Sequence, residues 1–143
     1  MRIVRLLACF AYWVFLTVLL LVADPAAIVG LRRIPVFPWG DHGIHFAAFT
    51  VLSILTHGTR WPQRPSWLVI VLLLGYGMTA ESLQAFVPPR TVELLDYVAN
   101  GLGVMAGSGL YWFFQGMMAQ RRTQANLLAA YMNRTTTRDA ANE

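Results

Sequence analysis

The chain has 143 residues, of which 57% are hydrophobic and only 13% are charged, and its mean hydropathy is +0.51. Soluble domains carry about 25% charged residues, so this composition excludes an ordinary water-soluble domain. All 11 basic residues are arginines, and they lie at helix ends and in loops rather than along one stripe, which argues against nucleic-acid binding. The sequence therefore predicts an integral membrane protein with a single domain.

Four apolar segments predict an all-α membrane protein built as a four-helix transmembrane bundle. The first segment follows Arg2 and Arg5, is longer than the apolar region of a cleaved signal peptide and lacks a small-x-small cleavage site, so we expect it to be retained. Cys9 lies within it and, as the single cysteine, has no partner for an internal disulfide. Prolines, glycines and arginines mark the connecting loops. The predicted spans are 6–22, 43–57, 67–87 and 94–118.

Composition divides the chain around these spans. We expect residues 1–5 to form a short cytoplasmic N-terminus, residues 6–118 the transmembrane domain, and residues 119–143 a polar cytoplasmic tail. The tail is expected to start as a helix and to fray after Asn133. Within the fourth span, the pair Gly103-x-x-x-Gly107 is expected to permit the close approach of another helix backbone.

Four spans place both termini on one side of the membrane, and the arginines indicate which side. Loops rich in positive charge stay in the cytoplasm. The arginines on the side of the termini are Arg2, Arg5, Arg60, Arg64, Arg121, Arg122, Arg134 and Arg138, against Arg32, Arg33 and Arg90 on the other side. Both termini are therefore predicted to be cytoplasmic, in a multi-pass protein of the inner (cytoplasmic) membrane.

Polar residues of the second and third spans, the third loop and the fourth span are predicted to meet near the outer surface. Ionisable side chains are costly at membrane depth and mark a functional site by default. Spacings of three or four residues place several of them in pairs on one helix face. The predicted ligand-binding residues are Asp41, His45, Glu81, Gln84, Arg90, Asp96 and Asn100. We expect Glu81 to pair with Arg90, Glu93 to be solvated, and His42 and His57 to be loop or boundary residues.

Most of these residues also have a purely structural interpretation. Asp41 and Asp96 suit helix starts, where a carboxylate caps the helix or faces its positive end. A lone histidine such as His45 is more often a hydrogen-bonded interior residue than a ligand. Arg90 can contact a lipid headgroup, and Asn100 can join two helices.

The combined pattern Asp41-x-x-x-His45-Phe46, Glu81-x-x-Gln84-x-Phe86-x-Pro88-x-Arg90 and Asp96-x-x-x-Asn100-x-x-Gly103-x-x-x-Gly107 resembles the VanZ-like family of small bacterial integral membrane proteins. The resemblance is strongest over residues 38–110, leaving the first span and the tail outside it. His42 departs from the lysine that often follows the aspartate in this family. The resemblance implies a membrane location and, through the founding member, a link to low-level glycopeptide (teicoplanin) resistance. It implies no settled biochemical activity.

Three functions remain open from the sequence. The favoured one is binding without turnover, in which the cluster holds the polar or phosphate headgroup of a membrane lipid or lipid-linked envelope precursor, with Arg90 as the anion contact. The second is an outer-leaflet acid–base enzyme in which His45, Glu81 and Asp96 are catalytic, although the chain has no HExxH, nucleophile or phosphate-loop motif. The third is a structural role, in which polar groups lock the helices and the protein acts as a homo-oligomer or through a membrane-protein partner.

We predict no cofactor and no resident metal. A divalent metal held by donors drawn from Asp41, His45, Glu81 and Asp96 is a less favoured alternative, because no metal-binding motif accompanies them.

Overall fold

The computed structural model describes residues 2–22, 40–59, 65–87 and 93–140, with the side chains of 135–140 left aside. These residues form four helices and no strand, which confirms the predicted all-α fold. The helices are α1 (Arg2–Leu21), α2 (Gly40–Gly58), α3 (Ser66–Gln84) and α4 (Leu94–Ala140). The chain divides into two compact units, Met1–Tyr111 and Trp112–Glu143.

Two of the four described helices, α1 and α3, are long and apolar enough to cross a membrane by length and composition. The other two carry more polar side chains: α2 contains three histidines and an aspartate, and α4 opens with Asp96 and Asn100. Several of these polar side chains are buried between helices rather than turned outward. The lower apolar content of α2 and α4 therefore comes partly from the residues that fill the interior.

Three helix ends differ from or refine the sequence-based expectation. Gly40 starts α2 with φ +62°, a backbone conformation that glycine adopts without strain, so Asp41 lies in the first turn. Helix α3 ends at Gln84 rather than at Val87, because the backbone turns before Pro88 and the residue preceding a proline avoids helical geometry. The prediction that the tail frays after Asn133 was wrong, since α4 continues to Ala140. Strong helix formers dominate residues 119–132 and favour the helix up to Asn133. The three threonines at 135–137 have lower helix propensity, so composition was a poor guide to where this helix ends.

Helices α2 and α4 come together at two glycines. A Cβ built on Gly103 would overlap the carbonyl oxygen of Phe46, and one built on Gly107 would overlap that of Thr50. Only glycine permits this separation of the two backbones, which confirms the expected role of the glycine pair. Beside the contact, the buried core of the first unit includes Phe49.

Helix α1 is attached to this core by polar contacts as well as by packing. The Tyr12 hydroxyl donates to the carbonyl of Ala48 at 3.0 Å, and Thr17 Oγ1 lies 2.8 Å from the Tyr76 hydroxyl. At the C-terminal end of α1, the carbonyl of Leu20 accepts a hydrogen bond from Gln84 Nε2 at 2.8 Å. Most of the outer face of α1 is exposed and apolar, as expected of a surface that contacts lipid.

Candidate functional site

The candidate site lies where the first turns of α2, the last turns of α3 and the first turns of α4 meet. Its centre is formed by His45 from α2, Glu81 from α3, and Asp96 and Asn100 from α4. All four side chains are buried, and Glu81 is completely inaccessible. The four-residue spacing of Asp96 and Asn100 places both on one face of α4, as the sequence predicted.

A chain of three contacts links the helices at this centre. The imidazole Nδ1–H of His45 donates to the amide oxygen of Asn100 at 3.0 Å. The Asn100 amide nitrogen donates in turn to Glu81 Oε2 at 3.5 Å, and His45 Nδ1 lies 3.7 Å from the same oxygen. Good N–H···O hydrogen bonds have donor–acceptor distances of about 2.7–3.2 Å, so both approaches to Glu81 Oε2 are long.

His42 belongs to the site, although the sequence placed it only at a loop or boundary. Its Nδ1 lies 2.6 Å from Asp96 Oδ1, and its Nε2 lies 3.6 Å from the exposed carboxylate of Glu93. The hydrogen bond with Asp96 raises the pKa of His42, which precedes the predicted span, because the carboxylate favours the imidazolium. The sequence feature that could have predicted this is the spacing of His42 and His45, since residues three apart lie on the same face of a helix.

Other predicted site residues are placed differently. Asp41 is exposed in the first turn of α2, while His45 is buried. Gln84 is buried, but its amide binds the main chain of α1 at Leu20. Arg90 lies outside the described residues, and so does its predicted pairing with Glu81. The ligand-binding role of the whole set stays a prediction.

Three of the buried residues bring potential metal-ligand atoms into one small volume. One donor atom each from His45, Glu81 and Asp96 lies within 4.8 Å of the other two. One imidazole nitrogen and two carboxylate oxygens form a mixed nitrogen and oxygen donor set. Such a set can hold a divalent cation or exchange a proton with a bound molecule.

The polar centre adjoins a groove on the surface between α3 and α4. The groove has a volume of about 560 Å³, and Asn100 is one of its lining residues. Its walls are mostly apolar, and they include Leu73, Met78, Leu94 and Val98. Asn100 therefore contacts both the buried polar network and an apolar surface groove.

A second polar cluster lies toward the other end of α2. His57 Nε2 and Ser53 Oγ each lie 3.0 Å from Ser108 Oγ, and His57 stacks on Tyr111 with ring centroids 5.3 Å apart. Twelve residues separate His45 from His57, or about 18 Å along a helix. The sequence placed His57 at a boundary, whereas the structure buries it. The four-residue spacing of Ser53 and His57 is the sequence feature that could have predicted the burial of His57.

Comparison with known proteins gives one match. The family model described as VanZ/LLP1 matches residues 6–115, which include α1, α2, α3 and the part of α4 that carries the site. The match is broader than the resemblance over residues 38–110, since it includes the first predicted span. No curated protein and no solved structure matches the chain.

Proposed function

Because the chain belongs to the VanZ/LLP1 family, we propose that it is a multi-pass inner-membrane protein that binds the polar or phosphate headgroup of an envelope lipid or lipid-linked precursor at the outer leaflet. The observation that carries the proposal is the contact of a buried polar centre with an apolar groove through Asn100. A lipid has the same two-part character, with a polar headgroup joined to an apolar chain. A site of this kind therefore fits an amphiphile better than a small polar solute.

The proposed membrane arrangement uses all four helices. A helix of 19 residues, such as α2 or α3, is about 28 Å long, close to the roughly 30 Å thickness of the hydrocarbon core. The inward-facing polar side chains of α2 and α4 make these helices compatible with a bilayer, because ionisable groups at membrane depth face the interior of a bundle. The arginine distribution supports an orientation with the termini in the cytoplasm and the site near the outer surface.

The orientation can be tested with single cysteines in a Cys9→Ala background. Glu93→Cys should react with a membrane-impermeant maleimide added outside intact cells, whereas Asn133→Cys should react only after the membrane is opened. Labelling of Asn133→Cys in intact cells, or protection of Glu93→Cys there, would contradict the orientation.

The groove gives a direct test of lipid binding. Gly101 lines it, and a Cβ built there has only an ordinary contact, 3.7 Å from Leu74 Cδ2. Gly101→Leu should therefore fill the groove without displacing the polar centre. Gly109→Leu is the matched control, because a Cβ on Gly109 meets nothing within 4 Å. Both changes replace glycine with leucine in the same helix, so they have similar effects on helix preference.

The probes are phosphatidylcholine vesicles containing either phosphatidic acid or a polyprenyl phosphate, which share a phosphate monoester but differ in their chains. We expect native mass spectrometry to detect at least one of these lipids bound to the purified wild type. Gly101→Leu should bind that lipid at least about tenfold more weakly, which corresponds to about 1.4 kcal/mol. Gly109→Leu should bind like the wild type. Equal retention by both variants, or retention of neither lipid by the wild type, would reject the proposal.

The proposed link to glycopeptide resistance follows from the same site. A protein that holds a lipid-linked precursor reduces the amount available to the antibiotic. Expression of the wild type should therefore raise the teicoplanin concentration needed to stop growth, and Gly101→Leu expressed to the same level should not. If both proteins raised this concentration equally, resistance would not depend on the groove.

A further inference from the structure

The polar centre determines which ring nitrogen of His45 carries a proton. His45 is 7% exposed, and its Nδ1 lies 3.0 Å from Asn100 Oδ1. An amide oxygen only accepts hydrogen bonds, so Nδ1 is the protonated nitrogen. In a neutral imidazole the other nitrogen then holds a lone pair, which makes Nε2 of His45 a hydrogen-bond acceptor.

Glu81 explains why Asn100 presents its oxygen to His45 rather than its nitrogen. The Asn100 amide nitrogen donates to Glu81 Oε2 at 3.5 Å, and an ionised carboxylate accepts hydrogen bonds but cannot donate them. The opposite orientation of the amide would place Asn100 Oδ1 against the carboxylate. Asn100 is therefore a positioning residue, because the atom that it presents to His45 sets the histidine tautomer.

His57, on the same helix, is held in the opposite tautomer. The Ser53 hydroxyl donates its single proton to the carbonyl of Val104 at 3.0 Å, so it can only accept in its contact with Ser108. Ser108 therefore donates to Ser53, and its oxygen accepts from His57 Nε2 at 3.0 Å. The Nε2 proton of His57 thus joins α2 to α4, whereas His45 joins the same two helices through Nδ1.

Nε2 of His45 is left for another molecule. Within the described ranges, His45 makes its polar contacts through Nδ1, with Asn100 at 3.0 Å and Glu81 at 3.7 Å. The two ring nitrogens point in different directions, so Nε2 is directed away from both partners. A buried acceptor without a donor is costly, and a ligand that supplies the donor removes that cost.

The centre offers acceptors to a ligand rather than donors. The Nδ1–H of His45 is directed at Asn100, and the Asn100 amide is directed at Glu81. The imidazole of His42 is directed at Asp96. An ionised phosphate oxygen is itself an acceptor and gains nothing from a lone pair, whereas a hydroxyl group can donate to it.

We propose that His45 Nε2 accepts a hydrogen bond from a hydroxyl of the ligand, with Asn100 as the positioning residue. The favoured ligand is then a lipid whose headgroup carries a hydroxyl beside its phosphate, and the hydroxyl rather than the phosphate enters the buried centre. That the hydroxyl belongs to a lipid rests on the proposed function. The tautomer of His45 does not.

Nitrogen NMR tests the tautomers without any ligand. The full-length protein is labelled with ¹⁵N in its histidine rings and measured in detergent near neutral pH, and single glutamine substitutions assign the three histidines. We expect the proton of His45 on Nδ1 and that of His57 on Nε2. Asn100→Leu should leave His45 as a mixture of both forms without changing His57. A proton on Nε2 of His45 in the wild type, or an unchanged His45 tautomer in Asn100→Leu, would overturn the proposal.

Two matched lipids test the hydroxyl contact. Phosphatidylglycerol and phosphatidylpropanol, with the same acyl chains, are each presented in phosphatidylcholine vesicles. Both headgroups are singly charged phosphodiesters of a three-carbon alcohol, but only phosphatidylglycerol has free hydroxyls. In native mass spectrometry the wild type should retain phosphatidylglycerol at least about tenfold better, because the propyl headgroup leaves the buried acceptor unpaired. His45→Phe should lose this preference, and His57→Phe, the same change at an equally buried position of α2, should keep it.

The outcomes separate the hydroxyl contact from lipid binding itself. Equal retention of the two lipids by the wild type, or an unchanged preference in His45→Phe, would overturn the contact and leave the proposed function intact. Retention of phosphatidic acid or the polyprenyl phosphate but of neither diester would do the same. Retention of none of the four lipids would reject the proposed function together with the ligand hydroxyl. The wild-type measurements remain decisive if a variant folds poorly.

Discussion

The contact between α2 and α4 predicts that alanine at Gly103 or Gly107 destabilises the protein, although alanine is the better helix former. A Cβ on Gly107 would overlap the Thr50 carbonyl oxygen and lie 2.7 Å from Ser53 Cβ. Carbon atoms in contact are about 3.5–4.0 Å apart, so the helices must separate by about 1 Å. Neither the main-chain carbonyl nor a Cβ can rotate away to relieve the overlap.

The magnitude follows from two opposing effects. Overpacking of this kind costs about 1–3 kcal/mol, toward the upper end when the backbone itself must move. The gain in helix preference from glycine to alanine is about 0.5–1 kcal/mol. We therefore expect Gly103→Ala and Gly107→Ala each to lower the free energy of unfolding by about 2 kcal/mol. The double variant should lose less than twice that amount, because one separation of the helices relieves both overlaps.

Reversible unfolding in mixed detergent micelles, followed by tryptophan fluorescence, measures this difference. Gly109→Ala is the control, because the corresponding Cβ meets open space, and it should be neutral or slightly stabilising. Separation by about 1 Å would also lengthen the 3.0 Å contact between His45 and Asn100, so ligand binding should weaken together with stability. Gly107→Ala as stable as Gly109→Ala would refute the close helix contact.

Two further predictions concern the polar contacts that hold the helices together. Ser108→Ala should lower the free energy of unfolding by about 1–3 kcal/mol, because it removes the hydroxyl shared by two buried partners. Ser82→Ala on the exposed face of α3 should change it by less than about 0.5 kcal/mol, and equal effects of the two variants in the same unfolding assay would contradict this. Gln84→Leu should loosen α1 by removing the hydrogen bond to the Leu20 carbonyl, so maleimide should label the half-buried Cys9 faster. Gln124→Leu in the exposed part of α4 should leave the labelling rate unchanged, and an unchanged rate in both variants would show that the bond does not hold α1.

The helices and the residues that join them could largely be predicted from the sequence. Apolar segments bounded by prolines and arginines predicted all four helices, and the Gly103 and Gly107 spacing predicted a close contact. The spacing of Asp96 and Asn100 predicted a shared face. These features depend on local periodicity, which a sequence displays directly. Asp41 and His45 share the same spacing, but the structure buries only His45. Helical spacing alone does not determine how far a side chain at the end of a helix lies from solvent.

The polar partners could not be predicted, because they depend on how far each helix is rotated and shifted against its neighbours. His42 is at the edge of a predicted span, and only the position of Asp96 on α4 brings it into the site. Gln84 shares a face with Glu81 but reaches α1 instead, because α1 passes close to the end of α3. A sequence specifies which side chains share one helix face; the contacts between helices depend on packing.

The two polar clusters differ in the kind of polar group that they bury. Ser53, His57 and Ser108 are neutral donors and acceptors, and the Ser53 hydroxyl also donates to the carbonyl of Val104, so the cluster stabilises the interior without burying a charge. The other cluster buries two carboxyl groups, whose desolvation is costly. His42 lies 2.6 Å from Asp96, and His45 and Asn100 contact Glu81, so neighbouring side chains contribute to the compensation. The glycine contact lies between the two clusters along α4, so the same rigid contact between α2 and α4 positions both. A cluster that served only to join these helices could have been built from neutral groups, as the second one is. The proposed binding of a polar headgroup would account for the carboxyl groups of Glu81 and Asp96, which a purely structural contact between helices does not require.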